Sequence, residues 1–259
     1  MQRSTQTIAD ELATAYRTRQ AIAPLSETDP DLTIDDAYEI QLAQVSRWVA
    51  DGAVVKGYKV GLTSQAMQQQ LGVSQPDFGH LTGTMFHLEH SPIDASGFLQ
   101  PKIEPEIAFV LKGEIRGPGV NVAEAIQAVD FVVPALELID SRIVDWRIGI
   151  VDTIADNASS CGVILGSKPT RLDQVDLTTV ACDLFMDSTL TASGVGSAVL
   201  GSPINALVWL ANTLGERGIV FRPGDVILPG SLTASYPVAS GSVAHAEFAG
   251  LGTVTAVFA

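Results

Sequence analysis

The chain has 259 residues, 46% of them hydrophobic and only 17% charged, enough for one large core and too apolar for a disordered segment. A formal net charge of −14 argues against nucleic acid or an anionic membrane as partner, because both need a basic surface, yet it still allows a small anionic substrate drawn by a local cation. Cys161 and Cys182 fall at no metal-ligand spacing and read as reduced core residues of a cytoplasmic protein; residues 1–6 lead into a polar stretch without the apolar centre of a secretion signal.

Ile8, Leu12 and Tyr16 recur at four-residue spacing and predict an amphipathic helix over residues 5–19. After a proline-containing connector at 21–32, Thr33 with Asp36 three positions on makes an imperfect capping box. The steps Ile34, Tyr38, Leu42, Val45 and Val49 then predict a second helix that stops at Asp51-Gly52. Residues 54–61 read as a strand, in which Gly57 and Gly61 point to a bend or a close approach. Thr63 or Ser64 can cap a short helix at 65–71, and 75–79 is expected to be a loop carrying Asp77.

Residues 101–111 begin Pro101-Lys102-Ile103-Glu104-Pro105-Glu106 and then turn apolar. In an extended strand Lys102, Glu104 and Glu106 share a face, with the two carboxylates about 7 Å apart along the backbone. One lysine does not neutralise two glutamates. Either this is an exposed edge strand with solvated acids, or a hard divalent cation such as Mg²⁺ or Mn²⁺ offsets their repulsion. Further on come a turn at 113–119, a helix at 122–129 capped by Asn121, and an apolar strand at 131–140 with one acid inside it, Glu137. Residues 145–157 gather Asp145, Asp152, Asp156 and Asn157 among apolar residues, and 158–165 returns to strand character. A strand at 180–186, a flexible polar link at 192–197, a helix at 203–214 with Pro203 in its first turn, and strands at 224–230 and 242–258 complete the chain.

No run reaches transmembrane length, and there is neither an internal repeat nor a linker after residue 60. The order predicts an α+β protein: an N-terminal helical lobe at 1–52, then a large antiparallel or mixed β domain at 53–259. There is no P-loop, no dinucleotide fingerprint and no G-x-S-x-G elbow. His87 and His90 lack the partners of a zinc site, as does His245, so carboxylates are the plausible metal ligands.

Gly57-Tyr58-Lys59-Val60-Gly61, Gln75-Pro76-Asp77-Phe78-Gly79, Gln100-Pro101-Lys102-Ile103-Glu104-Pro105-Glu106, Pro134-Ala135-Leu136-Glu137-Leu138-Ile139-Asp140, Asp152-Thr153-Ile154-Ala155-Asp156 and Leu200-Gly201-Ser202-Pro203 together form a specific set. In order and content they resemble the 2-keto-4-pentenoate hydratases of the fumarylacetoacetate hydrolase superfamily. That resemblance implies a mixed β-sheet roll, Mg²⁺ or Mn²⁺ held by Glu104, Glu106 and Glu137, and a homo-oligomer that can also pair with a homologous decarboxylase. It implies water addition to 2-hydroxypenta-2,4-dienoate, with a small 2-oxo or 2-hydroxy dienoate as ligand. Lys59 is the first candidate acid/base, its pKa expected to be lowered by burial or a nearby metal. Asp77 is the second, orienting water or pairing with Lys59. Asp156 is the third, with a structural role of equal weight, and Ser160 is a candidate for lining the pocket. Arg142 is expected to pair with Asp140 or another acid. Pro105 departs from the family pattern and suggests an edge or bulged strand. Competing activities are 4-oxalocrotonate decarboxylation, hydration of a longer 2-oxo-enedioate, acylpyruvate hydrolysis, and a non-catalytic role beside a decarboxylase.

Overall fold

The structure is a computed structural model that describes residues 3–64, 68 and 73–259. Helix α1 (Thr5–Thr18) is capped by Ser4 and buries Ile8, Ala9, Leu12 and Ala15. The expected connector contains a single helical turn, α2 (Leu25–Thr28). Helix α3 (Ile34–Ala50) starts from a complete capping box: the Thr33 N–H donates to Asp36 Oδ2 at 2.9 Å and the Asp36 N–H to Thr33 Oγ1 at 3.1 Å. Aspartate therefore does at that position what glutamate usually does. The helix expected at 65–71 lies outside the described residues apart from Gln68.

Two curled, mixed sheets follow. In chain order the strands are β1 (Val55–Gly61), β2 (Asp77–Thr82), β3 (Phe86–His87), β4 (Pro92–Ile93), β5 (Lys102–Leu111), β6 (Val129–Ile139), β7 (Ser160–Leu165), β8 (Ala181–Met186), β9 (Thr189–Val195), β10 (Val226–Leu228), β11 (Tyr236–Pro237), β12 (Val243–Phe248) and β13 (Gly252–Phe258). Among the described residues the larger sheet runs β2-β1-β10-β5-β6-β7-β3, with β11 also on β5, and the smaller runs β4-β13-β12-β8-β9. Most pairs are antiparallel; β1 with β10, β3 with β7 and β4 with β13 are parallel. The long β5–β6 ladder is the spine, and its register sets Glu104 directly opposite Glu137.

Several expectations change here. Asp77 is not in a loop: it opens β2, paired with Gly61 of β1. Residues 192–197 are not a flexible link, since most of them belong to edge strand β9. Gly194 is small because the backbone of Leu232 passes where a Cβ would stand. Pro105 sits in an interior strand, so the edge reading of residues 101–111 falls. The proline's missing donor is tolerated because β5 loses its ladder partner between β10 and β11. There the Pro105 carbonyl accepts the Leu232 N–H at 3.0 Å instead.

The stretch Gly196–Glu216 does reach membrane-crossing length, with mean hydropathy 1.2, contrary to expectation. Its helix, Pro203–Glu216, however, buries Ala206, Leu207, Leu210, Ala211 and Leu214 in the protein core. One apolar cluster joins α1, α3 and both sheets, from Ile8 and Leu12 through Phe78 and Phe109 to Phe258.

Candidate metal centre and catalytic cavity

The alternation of β5 puts Glu104 and Glu106 on one face, and the β5–β6 register brings Glu137 beside them. One carboxylate oxygen from each lies within 4.8 Å of the others. Glu106 Oε2 accepts the Gly230 N–H at 2.7 Å, while Glu106 Oε1 and both oxygens of Glu137 lack a hydrogen-bond partner. Buried anionic oxygens without donors are costly. Burial, reinforced by repulsion from Glu137, pushes Glu104 up to about 7 and Glu106 well above the carboxylate range. Burial also raises Glu137, against the pull of Lys59. An all-oxygen cluster that resists ionising by itself fits a hard divalent cation.

Lys59 reaches the cluster from β1. Its ammonium lies 3.4 Å from Glu137 Oε2 and donates to the Ala158 carbonyl at 3.1 Å. That carbonyl is aimed by an unusual turn: Asn157, Ala158 and Ser159 all have φ between 52° and 54°, the left-handed region. Such residues cost about 1–3 kcal/mol each and persist only where the surroundings fix them. Here Asn157 is clamped on β2, accepting the His80 N–H at 2.8 Å and donating to the His80 carbonyl at 2.9 Å. Burial alone does not lower the Lys59 pKa as expected. Its pull is downward, but the field of Glu137, Asp77, Glu104 and Glu106 outweighs burial and holds the pKa above its ordinary value.

Asp77 is 1% exposed and faces the same cavity, with Oδ1 unpaired. Burial raises its pKa against the pull of Lys59. Gly61 opposite is required, because a Cβ there would overlap the Asp77 carboxylate. Asp77 makes no ion pair with Lys59; its influence is through space. Ser160 lies fully buried beside Glu137 and does not border the cavity, though Ala158 and Ser159 do. Asp156 is elsewhere. Its Oδ1 receives Arg142 Nε at 2.6 Å and its Oδ2 the Arg142 N–H at 2.9 Å, so both oxygens are committed. Arg142, wholly buried, also lies 3.5 Å from Asp140 and stacks on Tyr16, as the structural reading of that residue expected.

The cavity that Glu104, Lys59 and Asp77 line measures about 340 Å³. Its apolar wall is Leu62, Ile139, Trp146 and Ile148, and its polar rim includes Thr153, Ser231 and Thr233. Lys102 enters it from β5, half-buried, with its ammonium 4.2 Å from the Trp146 ring centre. Trp146 is held by its indole N–H, 2.9 Å from the Gln100 carbonyl. Sequence reasoning missed Trp146 and the 229–235 loop. Asp145-Trp146 carries no periodic signal, and the loop offers only the turn signature Pro229-Gly230.

The family model described as fumarylacetoacetate (FAA) hydrolase C-terminal matches residues 55–259. A 2-keto-4-pentenoate hydratase of Paraburkholderia xenovorans LB400 is 44% identical, covering 96% of this chain and 93% of its own. A 2-hydroxyhexa-2,4-dienoate hydratase of Comamonas testosteroni is 42% identical, covering 98% and 97%. Among solved structures, 4-oxalocrotonate decarboxylase from Pseudomonas putida G7, complexed with magnesium and adipate, superposes with a TM-score of 0.95 at 35% identity over 98% of this chain and 97% of that one.

Proposed function

Because this chain belongs to the fumarylacetoacetate hydrolase C-terminal family and matches dienoate hydratases over nearly its whole length, we propose that it is a divalent-metal-dependent hydratase that converts 2-hydroxypenta-2,4-dienoate to 4-hydroxy-2-oxopentanoate. The observation that carries the proposal is the trio Glu104, Glu106 and Glu137, the last two with unpaired oxygens, gathered where Glu104 borders a cavity that Lys59 and Asp77 also line. The three glutamates hold Mg²⁺ or Mn²⁺. When bound, the cation supplies Lewis acidity that steadies negative charge on the substrate's 2-oxygen.

Lys59 and Asp77 handle the protons. One proton is delivered to C5 as the 2-hydroxyl gives up its own, leaving a 2-oxo-3-enoate. Water oxygen then bonds C4 and a proton goes to C3. Lys59, held by Glu137 and Ala158 at the cavity wall, serves the carbon-bound protons, and Asp77, with a free oxygen, accepts the proton from water. Ser160 is a buried neighbour of Glu137 outside the cavity, and Asp156 serves the Arg142 pair rather than the chemistry. The apolar wall suits a short hydrocarbon tail. Family resemblance extends the reading to a homo-oligomer, with a homologous decarboxylase as candidate partner.

The high overlap with the decarboxylase makes decarboxylation the second reading. A spectrophotometric assay with the C5 dienoate beside 4-oxalocrotonate, in Mg²⁺, separates them. We expect loss of dienoate absorbance without CO₂ release, and loss of turnover in Glu106→Gln. Full activity of metal-stripped enzyme in excess chelator would sink the proposal.

A further inference from the structure

An anionic substrate enters a cavity that already carries net negative charge. Three glutamates, one divalent cation and Lys59 sum to neutrality, and Asp77 adds a further negative charge. A 2-oxo or 2-hydroxy acid brings its own carboxylate into this enclosure. Lys59 is already engaged by Glu137 and Ala158. Among the described residues, the other cation lining the cavity is Lys102. It shares the face of β5 with Glu104, two residues away, and makes neither an ion pair nor a side-chain hydrogen bond; its partner is the face of Trp146.

That platform is fixed from behind. Trp146 donates to the Gln100 carbonyl, and the Gln100 N–H donates to Asp140 Oδ1 at 2.8 Å, so the ring is anchored to the head of the strand that carries Lys102. A cation on an aromatic face keeps its charge unpaired and N–H donors free to turn to a ligand, whereas a cation paired with a carboxylate does not. The arrangement holds an ammonium ready at the cavity without neutralising it.

Building on the hydratase reading, we propose that Lys102 is the residue that binds the 1-carboxylate of the 2-oxo acid, with Trp146 as its positioning residue. Lys102 recognises the end of the substrate common to mono- and diacids; the apolar wall meets the other end.

The test uses full-length protein loaded with Mg²⁺, titrated with pyruvate and separately with 2-oxoadipate, read by calorimetry and by tryptophan fluorescence. Lys102→Met is expected to weaken binding of both acids by about 10-fold or more, with Mg²⁺ affinity in the absence of acid within about threefold of wild type. Lys102→Arg recovers most of the binding, which also separates lost charge from a folding defect, and Lys102→Gln is the polar second variant should the methionine variant not fold. Trp146→Phe loses the ligand-induced fluorescence change. In turnover, KM rises while kcat changes little, because the contact is made in ground state and transition state alike. Unchanged pyruvate binding in Lys102→Met overturns the proposal, and loss confined to 2-oxoadipate overturns it in favour of a distal-carboxylate role. Failure of wild-type protein to bind either acid in a Mg²⁺-dependent way would bring down the hydratase reading itself.

Discussion

Asp156 shows how a residue's role is decided by which of its lone pairs are already taken. Its carboxylate is enclosed with Arg142, and burial pushes it up to about 6 even against that guanidinium. Replacing it with asparagine leaves a buried arginine short of a full counter-charge, with Asp140 at 3.5 Å as the remaining acid. Breaking such a pair costs about 3–5 kcal/mol. Asp156→Asn should therefore lower the urea midpoint markedly while the folded fraction keeps its kcat. A variant of native stability with kcat collapsed would return Asp156 to the chemistry. The sequence could not make this distinction, because an acid near a predicted turn looks alike whether it caps, pairs or reacts. Glu104 and Glu106 were legible for the opposite reason: a period of two on a strand needs no long-range knowledge. Their meeting with Glu137 needs the β5–β6 register, a long-range pairing that neither strand's own residues state, and the family resemblance supplied it in the sequence reading.

At the level of elements, β2 was misread because Pro76-Asp77-Phe78-Gly79 has the composition of a turn, and local turn chemistry lost to pairing with β1. The same strand carries a pH-sensitive joint. His80 is 3% exposed, its Nδ1 is 3.0 Å from Gln41 Oε1 on α3, and burial lowers its pKa to about 4. Between the ordinary histidine value near 6.5 and about 4, the unfolded chain binds a proton that the folded protein excludes, so stability from this site is lost as pH falls through that window. The ceiling is about 3 kcal/mol. Asp156 acts with the opposite sign over much of the same range, because there the folded state keeps the proton. The effect of His80 is thus best read by difference. The stability gap between wild type and His80→Gln, from urea titrations, should narrow by about 2–3 kcal/mol between pH 7 and pH 4.5. Parallel curves would show that His80 ionises without cost.

Across the whole molecule, the helical lobe at 1–52 and the β domain at 53–259 that the order of elements predicts share one apolar cluster. The helical segment was legible from its spacing, but its dependence on distant backbone was not, because glutamines on a helix read as solvated. Gln41 donates to the carbonyls of Phe78 and Ile154 at 2.9 and 2.8 Å, and Gln44 to that of Ala155 at 2.7 Å. Removing residues 1–52 strips those donors and uncovers Phe78, which stacks on Tyr38. We expect the 53–259 fragment to show no cooperative thermal transition and to bind exposed-surface dyes, while the full chain melts in one step. A fragment that melts sharply would establish an independent domain.

The two glutamines also bear on how this protein can be recombined. The family match begins at residue 55, so a chimera would naturally be cut there. Phe78 adjoins Asp77, and Ile154 and Ala155 lead into the turn that aims at Lys59. A donor segment lacking amides at positions 41 and 44 would take a donor from each of three backbone carbonyls next to the strand and turn that carry Asp77 and Ala158. Compatibility of such a hybrid would be decided by those two side chains before any residue of the metal site was altered.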